Sequence, residues 1–380
     1  MIAGDFSERF PILREMAFFN HAGVAPLSGP AADALGGYVD QASRRAYVGA
    51  RWYETALELK RKIARLIHAR GPHEIALVPN TSTGLAMVAN GLAWRRGQSV
   101  VIGDVEFPAN RGPWEDLRRH GVTVIEARQG HDGRLLAEDV ADCVTNHTRV
   151  VSVSHVQYAS GYRMDLGPIS RMIHLARGYL CVDGIQSVGV VPVDVEAMGI
   201  DFLSADGHKW LLGPEGCGFL YVNEGLIEML HPAVVGWMNF EHALEFERRD
   251  NELRKDARRF EPGSYNVPGL LALDASVGLL LEVGQDEVWR RVEALTQRLC
   301  EGLMARGYRV FSPRRPEERS GIVSFSPPAP QVRATPAIER IAAELERAGV
   351  VVAVRAGRLR ASPHFYNTAA QIDRLLEALP

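Results

Sequence analysis

The sequence predicts an α/β fold, with a large domain built on a mainly parallel sheet and a smaller α+β domain at the carboxyl end. Three observations predict it. From Ile75 to Val222, short apolar runs alternate with stretches of helical spacing, the order that builds parallel strands joined by crossovers. The run Tyr179 to Val182 ends in Asp183, an acid at the carboxyl end of a buried-type strand, where open α/β sheets place their ligand crevice. After Val267 the strict alternation stops. With 380 residues, 46% of them hydrophobic, the chain can bury two cores. The boundaries expected are an amino-terminal segment 1–25, a large domain 26–268, and a linker helix with the small domain 269–380.

In chain order, Ala17 to Pro26 is an apolar entry that closes in the polar turn Asn20-His21. Residues 54–69 place Leu57, Ile63, Leu66 and Ile67 at roughly helical spacing. A strand at 75–78 runs into Pro79-Asn80-Thr81-Ser82-Thr83-Gly84 and then an apolar helix 85–92. Hydroxyl residues and glycine at a helix start offer free N–H and O–H donors, which suit an ordinary N-cap and equally a dianion such as a phosphate. A strand 99–102 leads to Glu106-Phe107-Pro108, and a strand 149–154 leads to His155-Val156-Gln157-Tyr158. A helix 168–176 crosses back to the Asp183 strand. Beyond the linker helix 269–283, the small domain is expected to hold helices 288–306 and 337–348, strands 308–311 and 321–326, the extended segment 350–354 and a closing helix.

The chemistry concentrates in Asp201 to Gly216, which contains Gly207-His208-Lys209 ahead of the apolar run Cys217 to Val222. A lysine wedged against an apolar strand loses hydration, and desolvation lowers its pKa toward one at which it attacks a carbonyl. Alone, Gly-His-Lys also reads as a surface turn. Paired with Asp183 it matches what pyridoxal phosphate requires, an anion for the pyridinium nitrogen and an amine for a Schiff base.

Other classes have less support. The net charge of -3 favours neither nucleic acid nor a membrane surface as partner. Neither G-x-G-x-x-G nor the Walker pattern is present, and no basic helix-turn-helix flanks the domain. Cys143, Cys181, Cys217 and Cys300 have no metal-ligand spacing and no metal is expected. Residues 1–14 hold two acids in their first eight positions and no apolar core of signal length, and no run of eighteen apolar residues occurs, so a soluble cytoplasmic protein is expected.

The frames D-G-I-Q-S at Asp183 and S-A-D-G-H-K-W-L-L-G-P-E-G at Ser204 resemble the class V aminotransferase group of fold type I pyridoxal phosphate enzymes. The likeness is greatest to the branch of isopenicillin N epimerase-like proteins, cysteine desulfurases and selenocysteine lyases, and it runs from about Phe19 to the last helix. It implies a seven-stranded sheet, pyridoxal 5'-phosphate as cofactor, a small amino-acid substrate and a homodimer with shared active sites. Lys209 would be the Schiff-base lysine, Asp183 the partner of the ring nitrogen, and His208 its helper in proton transfer. Thr81, Ser82 and Thr83 would hold the phosphate, and Phe107 would stack on the ring without moving protons. Gln186 and Tyr158 would lie along the cofactor edge.

Two departures stand out within that likeness. Asp206 occupies a position commonly serine or threonine in desulfurases, so it is expected to turn from the phosphate or pair with a base such as Arg259, with Ser204 compensating. The other is that Gly357 runs directly into Arg358, where desulfurases carry a loop with a nucleophilic cysteine. No thiolate is then available to take sulfur, which disfavours a persulfide-forming desulfurase. The segment Phe260 to Ser264 resembles F-E-x-G-T, which implies that Ser264 reaches a neighbouring subunit's phosphate; a plain Pro-Gly turn is the other reading. The frame R-x-S-x-x-x-Y-N-T implies Arg360 as the fork for the substrate α-carboxylate, against a solvated arginine. Asn20 and His21 would lie near the substrate or form only a structural turn. Aminotransfer, epimerisation and C–S or C–Se β-elimination all remain open, and a non-catalytic pyridoxal-binding sensor is the alternative from another class.

Overall fold

The computed structural model describes residues 6, 8–249, 251–328 and 335–380; the leader reading of the first residues therefore falls partly outside the described residues. The strands are β1 Ala17–Phe18, β2 Ile75–Val78, β3 Ser99–Gly103, β4 Thr123–Ala127, β5 Thr148–Ser154, β6 Tyr179–Asp183, β7 Phe202–Asp206, β8 Gly218–Val222, β9 Arg309–Val310, β10 Val323–Ser326, β11 Val350–Val351, β12 Ala353–Arg355 and β13 Arg358–Ala361. The helices are α1 Gly29–Arg45, α2 Trp52–Leu66, α3 Thr81–Gly91, α4 Gly112–Asp116, α5 Ala137–Ala141, α6 Leu166–Leu175, α7 Val267–Val283, α8 Gln285–Ala305, α9 Thr335–Arg347 and α10 Ala369–Ala378.

Apolar residues on both faces of the strands 99–103, 148–154, 179–183 and 202–206 make them central, since only strands covered on two sides tolerate such runs. They join a seven-stranded sheet in the order β2-β8-β7-β6-β5-β3-β4, in which β8 alone runs antiparallel to its neighbours. The sheet is mainly parallel, as expected. Strand β7 is an addition, because the sequence reading assigns no element to 202–206. In register, Asp183 lies beside Ser204 and Ser154 beside Asp183, so the loops after β5, β6 and β7 emerge together at one edge.

Helix α3 crosses this edge close to β7. A Cβ on Gly84 would sit 2.2 Å from Ser204 Oγ, so only glycine permits that approach. Asn80 caps α3 by accepting from Thr83 N at 2.9 Å.

The carboxyl-terminal layer is a four-stranded sheet, β12-β13-β10-β9, covered by α8, α9 and α10. Strand β1 pairs in parallel with β11, Ala17 against Val350, and Phe19 packs into the same core. The sequence reading runs 350–354 as one segment and leaves 358–361 without a strand. Instead β12 and β13 form a hairpin whose turn is only Ala356 and Gly357, at φ 48° and 70°. Among the described residues no single helix is long and apolar enough to cross a membrane.

Candidate active site

A cavity of about 410 Å³ opens where the carboxyl ends of β2, β3, β5, β6 and β7 meet the β12–β13 hairpin. That size suits a cofactor-sized ligand. Ten of the residues singled out from sequence line it: Asn20, Thr81, Ser82, Phe107, Tyr158, Asp183, Gln186, His208, Lys209 and Arg360.

Lys209 follows β7 on a turn in which Leu212 N donates to Lys209 O at 3.0 Å and Leu212 takes φ 58°. The side chain is 9% exposed, and Nζ lies 5.6 Å from the centre of the Phe107 ring. Burial lowers its pKa to about 8 against the raising field of Asp183; Arg360 and Arg355 lower it further. At neutral pH a tenth or so of such amines are uncharged, against well under a thousandth for an ordinary lysine.

Asp183 is buried, and its Oδ1 accepts from Ile185 N at 3.0 Å. Desolvation raises its pKa to about 7, with Glu106 adding to the rise and Lys209 opposing it. A cation or N–H donor reaching such a carboxyl favours its charged form strongly, which is the condition for gripping a protonated ring nitrogen. Glu106 carries no role in the sequence reading. It lies beneath this edge, bonded by Ser154 N at 3.0 Å, Asn110 Nδ2 at 2.9 Å and Gln157 Nε2 at 2.9 Å, and burial raises its pKa. Its sequence signal is an acid just after an apolar strand.

Arg360 is 1% exposed. Its Nη1 donates to Tyr158 O at 2.8 Å and Nη2 to Asn20 Oδ1 at 3.3 Å, while Nε faces no partner. Burial pulls its pKa down to about 9, helped by the nearby Arg355. The solvated reading is thereby set aside. Phe107 and Tyr158 meet edge to face with centroids 5.3 Å apart.

Several expected contacts are corrected. Ser204 does not line the cavity: it is fully buried and donates to Phe219 O at 3.1 Å, under Gly84. Thr83 spends its hydroxyl on Asn80 Oδ1 at 3.0 Å and faces a different cavity, which also holds Ser264. His21 is fully buried away from the cavity, held by Ser362 O at 2.8 Å and Tyr366 Oη at 2.5 Å, and burial drives its pKa well down. Asp206 neither turns away nor meets Arg259. It ends β7, lines the cavity and places Oδ2 3.1 Å from Nδ1 of His208, which lies two residues on in the following turn. Gln186 lines the cavity, with its amide spanning Ala22 O at 3.0 Å and Trp210 Nε1 at 2.9 Å.

The cavity fits the cofactor. Thr81 Oγ1 is buried with no protein partner at the start of α3, where backbone N–H groups and the helix dipole favour a phosphate. Across the cavity stand an amine of lowered pKa and a carboxyl of raised pKa, the pair that pyridoxal phosphate uses.

Comparison with known proteins agrees. The family model described as "Aminotransferase class-V" matches residues 36–375. A "Probable cysteine desulfurase" of Methanothermobacter thermautotrophicus is 30% identical, covering 99% of this chain and 96% of that protein. The "Uncharacterized aminotransferase YcbU" of Bacillus subtilis is 29% identical over 98% of this chain and 96% of its own. Among solved structures, the apo cysteine desulfurase of Thermococcus onnurineus superposes with a TM-score of 0.87 at 25% identity, over 99% of this chain and 97% of the other. The chain belongs to the class V aminotransferase family, and it is a pyridoxal-phosphate-dependent enzyme of fold type I.

Proposed function

We propose that this enzyme transforms an α-amino acid, with β-elimination at a C–S or C–Se bond as the first reading. The observation that carries it is the shared opening of the buried Lys209 amine and the buried Arg360 guanidinium on one cavity, which Asp183 also lines. Pyridoxal phosphate, when bound, supplies an electron sink conjugated to the α-carbon. Thr81 and Ser82 would hold its phosphate, Asp183 would keep its ring nitrogen protonated and Phe107 would cover a ring face. Lys209 would be the amine that binds its aldehyde, and its Nζ would take the substrate's α-proton. Arg360 orients the α-carboxylate through its unpaired Nε edge. His208 supplies a second proton-carrying group beside Lys209.

C–S cleavage is favoured by the relatives named as cysteine desulfurases. Transfer of the sulfur to a cysteine of the enzyme is disfavoured by this chain's own residues. The hairpin turn of Ala356 and Gly357 leaves no loop for a thiol. Cys181, Cys217 and Cys300 are buried and no cysteine lines the cavity. Burial raises the thiol pKa of all four cysteines, Cys217 to about 12. Cysteine would then be converted with water to pyruvate, ammonia and sulfide. Aminotransfer is the second reading, favoured by the likeness to YcbU. A dimer in which Ser264 approaches the cavity of a second copy is part of the proposal.

The test is to incubate the cofactor-loaded enzyme with L-cysteine, L-selenocysteine and common L-amino acids and to score pyruvate, ammonia, sulfide, keto acid and D-isomer. Equal pyruvate and sulfide support the first reading. Keto acid formed only with an added amino acceptor supports the second, and a persulfide found on the protein by mass spectrometry would overturn the exclusion.

A further inference from the structure

We infer that the substrate carries a second anionic group beyond its α-carboxylate, and that Arg355 recognises it. The inference rests on the amino-acid reading above and names the substrate class for the same site. Arg355 ends β12 and Arg360 lies in β13. In register, Arg355 opposes Arg358 and Ala353 opposes Arg360, so Arg355, Arg358 and Arg360 stand on one face of the hairpin. Arg355 and Arg360 are diagonal neighbours, roughly 7–8 Å apart at the backbone. Both reach the cavity. Arg358 does not, because its guanidinium lies 3.6 Å over the Phe311 ring.

Two like charges directed into one cavity repel, and Arg355 disfavours the charged forms of both Arg360 and Lys209. Neither arginine is compensated from within. Among the described residues no acidic side chain pairs with either: Arg360 bonds Tyr158 O and Asn20 Oδ1, and Arg355 Nη1 bonds only the carbonyl of Val354, at 2.7 Å. The two acids that line the cavity are otherwise engaged, Asp183 beside Lys209 and Asp206 beside His208. Both guanidiniums therefore remain open to anionic groups of a ligand on this side of the cavity, across from the phosphate end at Thr81 and Ser82. A single carboxylate accounts for the buried Arg360. The exposed Arg355, at the hairpin end, is placed for the far end of a longer substrate. Its chemistry is an α-amino acid with a carboxylate or comparable anion on the side chain.

The test uses the cofactor-loaded enzyme and two matched sets, L-aspartate, L-glutamate and L-2-aminoadipate against L-alanine, L-2-aminobutyrate and L-norvaline. The readout is the concentration at which each shifts the visible absorbance band of the bound cofactor. Calorimetric binding of glutarate against butyrate gives a second readout free of turnover. The best dianionic ligand is expected to act at a concentration at least about tenfold lower than its uncharged counterpart, the usual scale of one charge-assisted contact. Arg355→Gln brings that ratio toward one, whereas Arg358→Gln, which removes the same charge from the same face, preserves it. Equal response to both sets, or an Arg355→Gln enzyme with its ratio intact, overturns the inference while leaving the amino-acid reading standing. An enzyme whose band answers to no amino acid overturns both.

Discussion

Asp206 Oδ2 lies 3.1 Å from His208 Nδ1, so a carboxylate sits behind an imidazole one residue from the cavity's amine. A carboxylate this close favours the imidazole's charged form electrostatically, which suits a group that accepts and returns a proton. His208→Gln is therefore expected to lower kcat roughly a hundredfold with little change in KM, and Asp206→Asn to lower it less. Both variants should retain the visible cofactor band. A His208→Gln enzyme with wild-type kcat and an unchanged pH–rate profile would show that the imidazole moves no proton.

Lys209 makes cofactor capture pH-dependent. Only the neutral amine attacks an aldehyde, and burial sets the amine's pKa at about 8. The rate at which cofactor-free enzyme takes up pyridoxal phosphate should rise with pH, reach half its plateau near pH 8 and level off above. Stopped-flow absorbance reads it directly. Lys209→Ala should abolish the band at every pH.

Asp183 links stability to pH in the cofactor-free enzyme. Its carboxyl stands at 3.8 when solvated and about 7 when folded, so the folded chain binds the extra proton. Stability from this group is present at low pH and is lost as pH rises through 7. Asp183→Asn, neutral throughout, should stabilise the cofactor-free protein at pH 8 by on the order of a few kcal/mol and much less at pH 5. Urea unfolding at the two pH values gives the comparison. The same variant should weaken cofactor binding, which separates the two roles.

His21 should behave as a core residue. It bridges Ser362 O and Tyr366 Oη with no exposure. His21→Ala is expected to cost about 2–4 kcal/mol in chemical denaturation. Its loss should be alike with and without cofactor, while Asn20→Ala should chiefly raise KM by freeing Arg360 Nη2.

Asp183 and the lysine turn were legible in the sequence because an apolar run that ends abruptly in Asp183, and another that begins at Cys217 beyond Lys209, fix which strand ends meet the crevice. Thr81 and Ser82 were legible for the same reason, since the hydroxyls follow β2 and begin α3. Thr83 and Ser204 were not. A hydroxyl at a helix start can face a ligand or its own cap, and Asn80 takes Thr83, while only the depth of Gly84 against β7 reveals that Ser204 is sealed in. Arg355 was hidden too, because a charged residue before a Gly turn reads as solvated until the hairpin register puts it diagonal to Arg360.

Asn20 bridges to Ser362, and Ser362 N donates to Phe19 O at 2.7 Å, so the amino-terminal strand is stitched to the strand end that carries Arg360. Lys209 and Asp183 stand on the other jaw, the large sheet. Asn20 and Arg360 are thus one mechanical piece, and clipping the chain ahead of Gly23 would deprive the carboxyl-terminal jaw of a β-strand and the guanidinium of its brace in a single cut.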